Sequence, residues 1–275
     1  MKKLFLLFLL LGFLTACSSS SDKAKEEAEF KDTPVEELYN KAQDLLVAEK
    51  YKAAADAFDE VERQHPYSQW AAKAQLMSAY SYYQAERYQE AALALDRFIQ
   101  LHPGDEKIGY AYYLKAMVSY DQINDIERDQ SITQEALESL REVIRRFPNT
   151  DYAKDAKLKI DLTLDHLAAK EMQIGRFYQK RQLYTAAINR FRNVVDQYQT
   201  TAHVPEALHR LVECYYTLGI RDQAEANAAV LGHNYPGSEW YQYSYSLLKN
   251  GKIELPKPTG DEKSFIGKTI GSIFN

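Results

Sequence analysis

Between Pro34 and Leu248 apolar residues recur at helical spacing, and the recurrence itself repeats. Four dipeptides close an apolar run just before a polar cluster: His65-Pro66, His102-Pro103, Phe147-Pro148 and Tyr235-Pro236. Twelve residues before each proline stands an alanine, at Ala54, Ala91, Ala136 and Ala224, and a fifth copy fits at Ala187 with Tyr198-Gln199 in the dipeptide position. Four residues beyond these alanines come Phe58, Leu95, Leu140, Phe191 and Ala228; seven beyond come Val61, Phe98, Val143, Val194 and Leu231. Offsets of four and seven place each set on one helical face, and proline stops the helix beyond it. An alanine at the anchor lets a neighbouring helix approach closely.

A second half-motif precedes the first: a small residue twelve before the anchor and an aromatic or apolar residue three later. Ala42/Leu45, Ala79/Tyr82, Gly175/Tyr178 and Val212/Tyr215 fit. Ala116 fits if about eight residues, around Gln122 to Asp129, loop out between two helices. Together the halves make the pattern of the 34-residue tetratricopeptide repeat. The predicted fold is all-α: a right-handed superhelical solenoid of about five tetratricopeptide repeats over residues 34–248. Anchor intervals of 37, 45, 51 and 37 residues predict an insertion in repeat three and a lengthened first helix in repeat four, starting near Tyr152. Thr33 is expected to cap the first helix, with Pro34 at its first position and Glu36 completing a capping box. Residues 249–275 read as a Pro-containing linker and a tail in which Ile266, Ile270 and Phe274 form an apolar stripe beside Phe265 and Ile273.

The N-terminal end follows a different logic. Leu4 to Leu14 is too short for a bilayer span of about 20 residues. It matches a signal-peptide core of roughly 7–15 residues, with Lys2 and Lys3 before it. Leu14-Thr15-Ala16-Cys17 resembles the lipobox of bacterial lipoproteins, which implies removal of residues 1–16 as a signal peptide and acylation (diacylglycerol and a palmitate-type chain) on Cys17. Several chains anchor a protein stably where one does not. Ser18 after the cysteine implies, in that resemblance, sorting to the outer membrane. Residues 17–33 are then the lipidated cysteine and a flexible tether of roughly 20 Å reach.

Composition narrows the function. With 34 basic and 39 acidic residues the net charge is −5, and no basic block of the nucleic-acid type occurs. The cysteines are Cys17 and Cys214, so no disulfide remains once Cys17 is acylated. There is no H-E-x-x-H, C-x-x-C or G-x-S-x-G, and Gly267-Lys268-Thr269 lacks the glycine a phosphate loop needs, since Glu262 occupies that position. Cys214 is expected in the core. The reading is a non-enzyme with no catalytic residue, no metal site and no cofactor.

The 21 tyrosines change the picture most. In tetratricopeptide domains the first helix of each repeat lines a concave groove. The register puts Tyr110, Tyr113, Met117 and Tyr120 there from repeat three, Leu76, Tyr80 and Tyr83 from repeat two, and Tyr39 from repeat one. Repeat four contributes Met172, Arg176 and Gln179, and repeat five His209, Glu213 and Tyr216, a more polar set. Tyr82, Tyr112, Tyr178 and Tyr215 fall on inter-helix positions.

The stretches YSYYQAERYQEAALALDRFIQLHP, GYAYYLKAM and FPNTDYAKDAKLKI, behind a lipobox and a short tether, resemble the BamD family of outer membrane protein assembly factors. The resemblance implies a lipid-anchored subunit on the periplasmic side of the outer membrane. Its implied partners are BamA and other subunits of the β-barrel assembly complex, unfolded outer membrane β-barrel proteins, and the membrane through the lipid, with no nucleic acid. It further implies that Arg190, in Ala187-Ile188-Asn189-Arg190, makes a salt bridge to BamA. The tyrosine groove would receive C-terminal targeting segments of barrel substrates. Gln199, where the family has proline, leaves the end of that helix open. A tetratricopeptide lipoprotein acting as a pilus or secretin pilotin, or an envelope-division adaptor, would share the anchor and repeats but lack DRFI and PNTDYAKDA.

Overall fold

The computed structural model describes residues 33–123 and 129–251; the lipobox, the tether and the tail lie outside them. The chain divides into two compact units, Met1–Arg87 and Tyr88–Asn275. The first holds α1 (Val35–Val47), α2 (Tyr51–Gln64) and α3 (Ala71–Gln84). The second holds α4 (Tyr88–Leu101), α5 (Ile108–Tyr120), α6 (Ser131–Arg146), α7 (Asp151–Lys180), α8 (Tyr184–Gln197), α9 (Val204–Thr217), α10 (Arg221–Asn234) and α11 (Glu239–Asn250). Every regular element among the described residues is an α-helix, and the fold is of tetratricopeptide type, helix–turn–helix by helix–turn–helix.

The repeat pattern is the core. All five anchor alanines are fully buried, and the apolar residues four and seven places beyond them are buried as well. Each large side chain in that set contributes about 1.5–3 kcal/mol of burial. The small position is equally strict. A Cβ added at Gly175 would stand 2.4 Å from the Phe191 ring, so α7 and α8 meet more closely than alanine permits.

Two recurring turns punctuate the helices. After each second helix the dipeptide's first residue donates its N–H to the carbonyl four back: His65 to Val61, His102 to Phe98, Phe147 to Val143, Tyr198 to Val194 and Tyr235 to Leu231. Tyr198, at φ −124°, ψ 43°, adopts the cap conformation of its equivalents although Gln199 follows it. Thr201 donates its N–H and Oγ1 to the Tyr198 carbonyl (3.1 and 2.8 Å), as Thr150 does to Phe147. The same threonine-closed turn therefore forms with proline after Phe147 and without it after Tyr198.

After four of the first helices the chain enters the left-handed region, at Glu49 (φ 56°), Glu86 (56°), Gln182 (62°) and Gly219 (77°). The following N–H closes a six-residue ring: Lys50 to Leu45, Arg87 to Tyr82, Leu183 to Tyr178 and Ile220 to Tyr215, at 2.9–3.0 Å. This is the Schellman ending, which glycine favours and three of these four turns achieve without it.

The first helix starts differently from expectation. Pro34 is the N-cap, at φ −50°, ψ 136°, with no side-chain cap bond, and its carbonyl accepts from the N–H groups of Glu37 and Leu38. The reason lies in His65, whose Nε2 donates to the Thr33 carbonyl at 2.8 Å and ties the chain entry to the end of α2. The lengthened helix is α7, 30 residues long, which packs against both α6 and α8. Thr150 caps it, accepting from the Ala153 N–H.

Candidate functional site

In the first unit Tyr39 is not a surface residue. It is 4% exposed, with its ring 5.3 Å from Phe58 and 4.7 Å from Trp70, and the Lys73 ammonium lies 4.8 Å over it. Its ring faces inward, into the cluster formed with Phe58 of α2 and Trp70 at the N-cap of α3. Leu76 is buried as well. Tyr80 and Tyr83 stand half-buried, three apart on α3. Tyr82 is held between helices, donating its hydroxyl to Asp59 at 2.7 Å.

In the second unit Tyr110, Tyr113, Met117 and Tyr120 run down one face of α5, each half-buried. Tyr152, at the start of α7, gathers two of them: its ring centroid is 5.2 Å from Tyr113, stacked, and 5.8 Å from Tyr110. The Tyr113 hydroxyl donates to Asp155 at 2.6 Å, and burial followed by this bond raises the phenol well above its ordinary range. Lys159 pairs with Asp155 at 3.4 Å and lies 5.0 Å over the Tyr120 ring. Beyond Tyr120 opens a cleft of ≈ 440 Å³ lined by Asp121, Ile123, Leu162, Thr163 and His166. The His166 Nε2 is buried there without a partner among the described residues. Leu158 and Leu162 are exposed on α7. The face is therefore aromatic and apolar, with cationic and hydroxyl groups at its edge. Such a composition suits an extended apolar peptide, whose side chains meet rings and whose backbone meets hydroxyls.

The corresponding face of repeats four and five has other chemistry. Met172 and His209, expected to point into the groove, are buried. The remaining polar residues bind one another. Arg176 donates to both carboxylate oxygens of Glu206 at 2.9 Å, Gln179 donates to Glu213 at 2.9 Å, and Arg210 reaches Glu206 (3.3 Å) and Glu213 (2.9 Å). His209 lies within 2.9 Å of Ser244 on α11 and 3.4 Å of Glu213. Burial would raise the Glu213 carboxyl, but the His209 bond and charge, then Arg210 and Gln179, outweigh it and hold it at about 2. Cys214 is buried and its thiol pushed up to about 12, first by burial and then by the Glu213 charge. It is inert in this setting.

On the second helix of repeat four, Arg190 rims a cleft of ≈ 460 Å³ lined by Glu171, Tyr178, Ala186, Asn189, Arg192, Asn193 and Asp196. Its Nη1 donates to the Glu171 carboxylate at 3.2 and 3.3 Å, with Glu171 15% and Arg190 42% exposed. The Nε and Nη2 donors have no partner among the described residues. Glu171, Asp155 and Glu206 were not legible as site residues. Arg190 finds its carboxylate 19 positions away across a helical hairpin, where sequence spacing carries no signal. Cys17 lies outside the described residues.

A family model described as YfiO, outer membrane lipoprotein, matches residues 31–231. The outer membrane protein assembly factor BamD of Caulobacter vibrioides is 50% identical over 224 residues, covering 82% of this chain and 73% of that protein. Its namesake in Rickettsia prowazekii is 49% identical over 228 residues, 83% of this chain and 91% of the other. That of Neisseria meningitidis serogroup A is 33% identical over 255 residues, 89% and 96%.

Proposed function

The chain belongs to the outer membrane lipoprotein family YfiO, and from that membership we propose that it is the periplasmic, lipid-anchored scaffold of a β-barrel assembly complex. Outer membrane protein assembly is the process it serves. In this reading Cys17 carries the lipid, the Arg190 cleft docks BamA, and the aromatic face receives C-terminal targeting segments of unfolded barrel proteins. No step needs a cofactor. The scaffold holds one partner against another by passive complementarity.

The observation that carries this reading is the half-satisfied guanidinium. Arginine presents five donors in a planar fork. Glu171 occupies Nη1 alone, and the bonds are long. The free edge, Nε with Nη2, has the geometry for a second carboxylate, supplied by the partner. Glu171 fixes the plane of the fork, while Asn189 and Asn193, on the same cleft, provide neutral donors and acceptors beside it. Losing a desolvated interfacial charge pair costs about 2–5 kcal/mol.

Co-purification from solubilised outer membranes tests the assignment. Arg190→Glu should abolish recovery of BamA while the helical content stays unchanged, and Arg190→Lys should recover it only in part, since an ammonium cannot hold two carboxylates in one plane. Equal BamA recovery from wild type and Arg190→Glu would remove the cleft from the interface. For the anchor, mass spectrometry of the mature N-terminus should find acylated Cys17, and Cys17→Ser should be neither lipidated nor cut there. An unmodified Cys17 rejects the anchor.

A further inference from the structure

The gap between α5 and α7 is filled at one end and open at the other. At the filled end the Tyr152 ring stands against Tyr113 and Tyr110, and the Tyr113 hydroxyl donates to Asp155 of α7. At the open end, beyond Tyr120, the ends of the two helices enclose the cleft of ≈ 440 Å³. His166 lies eleven residues after Asp155, about three helical turns further along the same face of α7. The two positions are therefore equivalent. Asp155 receives a phenol; the His166 Nε2 is buried without a partner among the described residues.

The walls of the cleft select its ligand. Tyr120, Ile123 and Leu162 present apolar surface, and Leu162 is exposed, so the cleft opens to solvent beside it. Thr163 spends its hydroxyl proton on the Lys159 carbonyl at 2.7 Å. Asp121 brings a carboxylate, and no lysine or arginine lines the cleft among the described residues. Lys159 is engaged by Asp155 and by the Tyr120 ring. A ligand carboxylate would meet Asp121, and a purely apolar side chain would leave the imidazole nitrogen unmet. A ring that carries a hydroxyl group answers both the walls and the nitrogen.

We propose that this cleft is a side-chain pocket selective for tyrosine, with His166 as its specificity-determining residue. The imidazole, protonated at Nδ1, accepts the phenol proton at Nε2, while Tyr120, Ile123 and Leu162 pack the ring. The pocket rests on the reading that the aromatic face receives extended barrel segments, and it adds which side chain is read where the row of tyrosines ends. Membrane-spanning strands carry aromatic girdles at both interfaces, so such segments supply the ring. Phenylalanine fits the walls but not the nitrogen.

Magnetic resonance titrations of the mature full-length chain, labelled at histidine, test the pocket with three probes: p-cresol for the tyrosine side chain, toluene for phenylalanine and acetate for a carboxylate. p-Cresol should shift the His166 ring signals saturably and bind about fivefold or more tighter than toluene, the worth of one hydrogen bond. His166→Leu should erase that preference. His166→Gln, which returns a polar group at the reach of Nε2, should restore part of it. Leu162→Asp, at an exposed position, should weaken both rings. No saturable cresol shift at His166, equal affinity for cresol and toluene, or tighter binding of acetate would overturn the pocket. A synthetic segment of about ten alternating apolar and polar residues, the length of a membrane-spanning strand, separates the pocket from the reading beneath it. Wild type should prefer the segment made with tyrosine over the same segment made with phenylalanine, and His166→Leu should not. If neither segment binds while p-cresol does, the aromatic face is not the receptor and the pocket stands. If both segments bind wild type and His166→Leu alike, the face stands and the pocket falls.

Discussion

Repeats three and five place different chemistry on the same four positions of their first helices. In α5 these are Tyr110, Tyr113, Met117 and Tyr120; in α9 they are Glu206, His209, Glu213 and Tyr216. Each set leans on the next helix but one along the chain, α7 through Tyr152 and Asp155, and α11 through Ser244 and Tyr243. The α5 set stays half-buried, with the Tyr113 hydroxyl on Asp155, and its rings keep area to offer. The α9 set is consumed internally: two carboxylates, two guanidiniums, an amide and an imidazole satisfy one another. Equivalent positions on one scaffold become a receptive surface in one case and a brace in the other. What decides is whether the side chains find partners at home.

The sharpest way to break the contrast is to open the brace. Glu213→Ala removes the acceptor shared by Arg210, Gln179 and His209, leaving Arg210 to Glu206 and His209 to Ser244 and Gln179 without its carboxylate. Breaking a buried pair from one side costs about 3–5 kcal/mol, so the urea midpoint should fall steeply. Tyr113→Phe, the matching deletion on the aromatic face, should cost only about 1 kcal/mol, the worth of one hydrogen bond. Equal losses would mean the two faces are braced alike.

Acid separates them as well. Glu213 is depressed from the ordinary carboxylate range to about 2. The stability it contributes is therefore complete above about pH 4.5 and is lost as the pH falls toward 2, up to about 3 kcal/mol. Glu213→Gln should flatten unfolding free energy against pH in that window. A wild-type curve no steeper than that of the variant would show that the brace is not electrostatic.

Tyr120→Ala should weaken binding of a C-terminal barrel peptide by about 1–2 kcal/mol, a hot-spot magnitude. Calorimetric titration and thermal unfolding on the same protein read the two effects apart. A large loss of stability with unchanged affinity would move Tyr120 from the surface into the core. The smallest expected effect concerns the turns that precede the two second helices. Gln182→Gly relieves a left-handed non-glycine residue and should gain about 1 kcal/mol, whereas Gly219→Ala should lose a similar amount. Differential scanning calorimetry resolves both signs.

The sequence made the core readable because burial is periodic. Ala187, Phe191 and Val194 announce their helix face by spacing alone, and all are buried. The 30-residue α7 was readable from one anomalous interval between anchors. The site was less accessible. Tyr39 occupies a groove position by register yet lies in the core, since the ring neighbours that claim it, Phe58 and Trp70, sit on α2 and at the N-cap of α3. Met172 and His209 went the same way. Arg190 was singled out from a resemblance, but Glu171 required knowing how α7 and α8 align. Turn chemistry is not legible in the sequence either, because Glu49, Glu86 and Gln182 adopt a conformation whose usual residue is glycine.

The long helix α7 has a mechanical consequence. Asp155, near its start, holds Tyr113, and Arg176, near its end, grips Glu206. These attachments are 21 residues, about 32 Å, apart along one uninterrupted hydrogen-bonded rod. A rod without a hinge cannot absorb a displacement locally; it pivots. The far attachment is also where α7 meets α8 most closely, at the Gly175–Phe191 contact next to Arg176, so the rod is held firmly at the end that reaches α9.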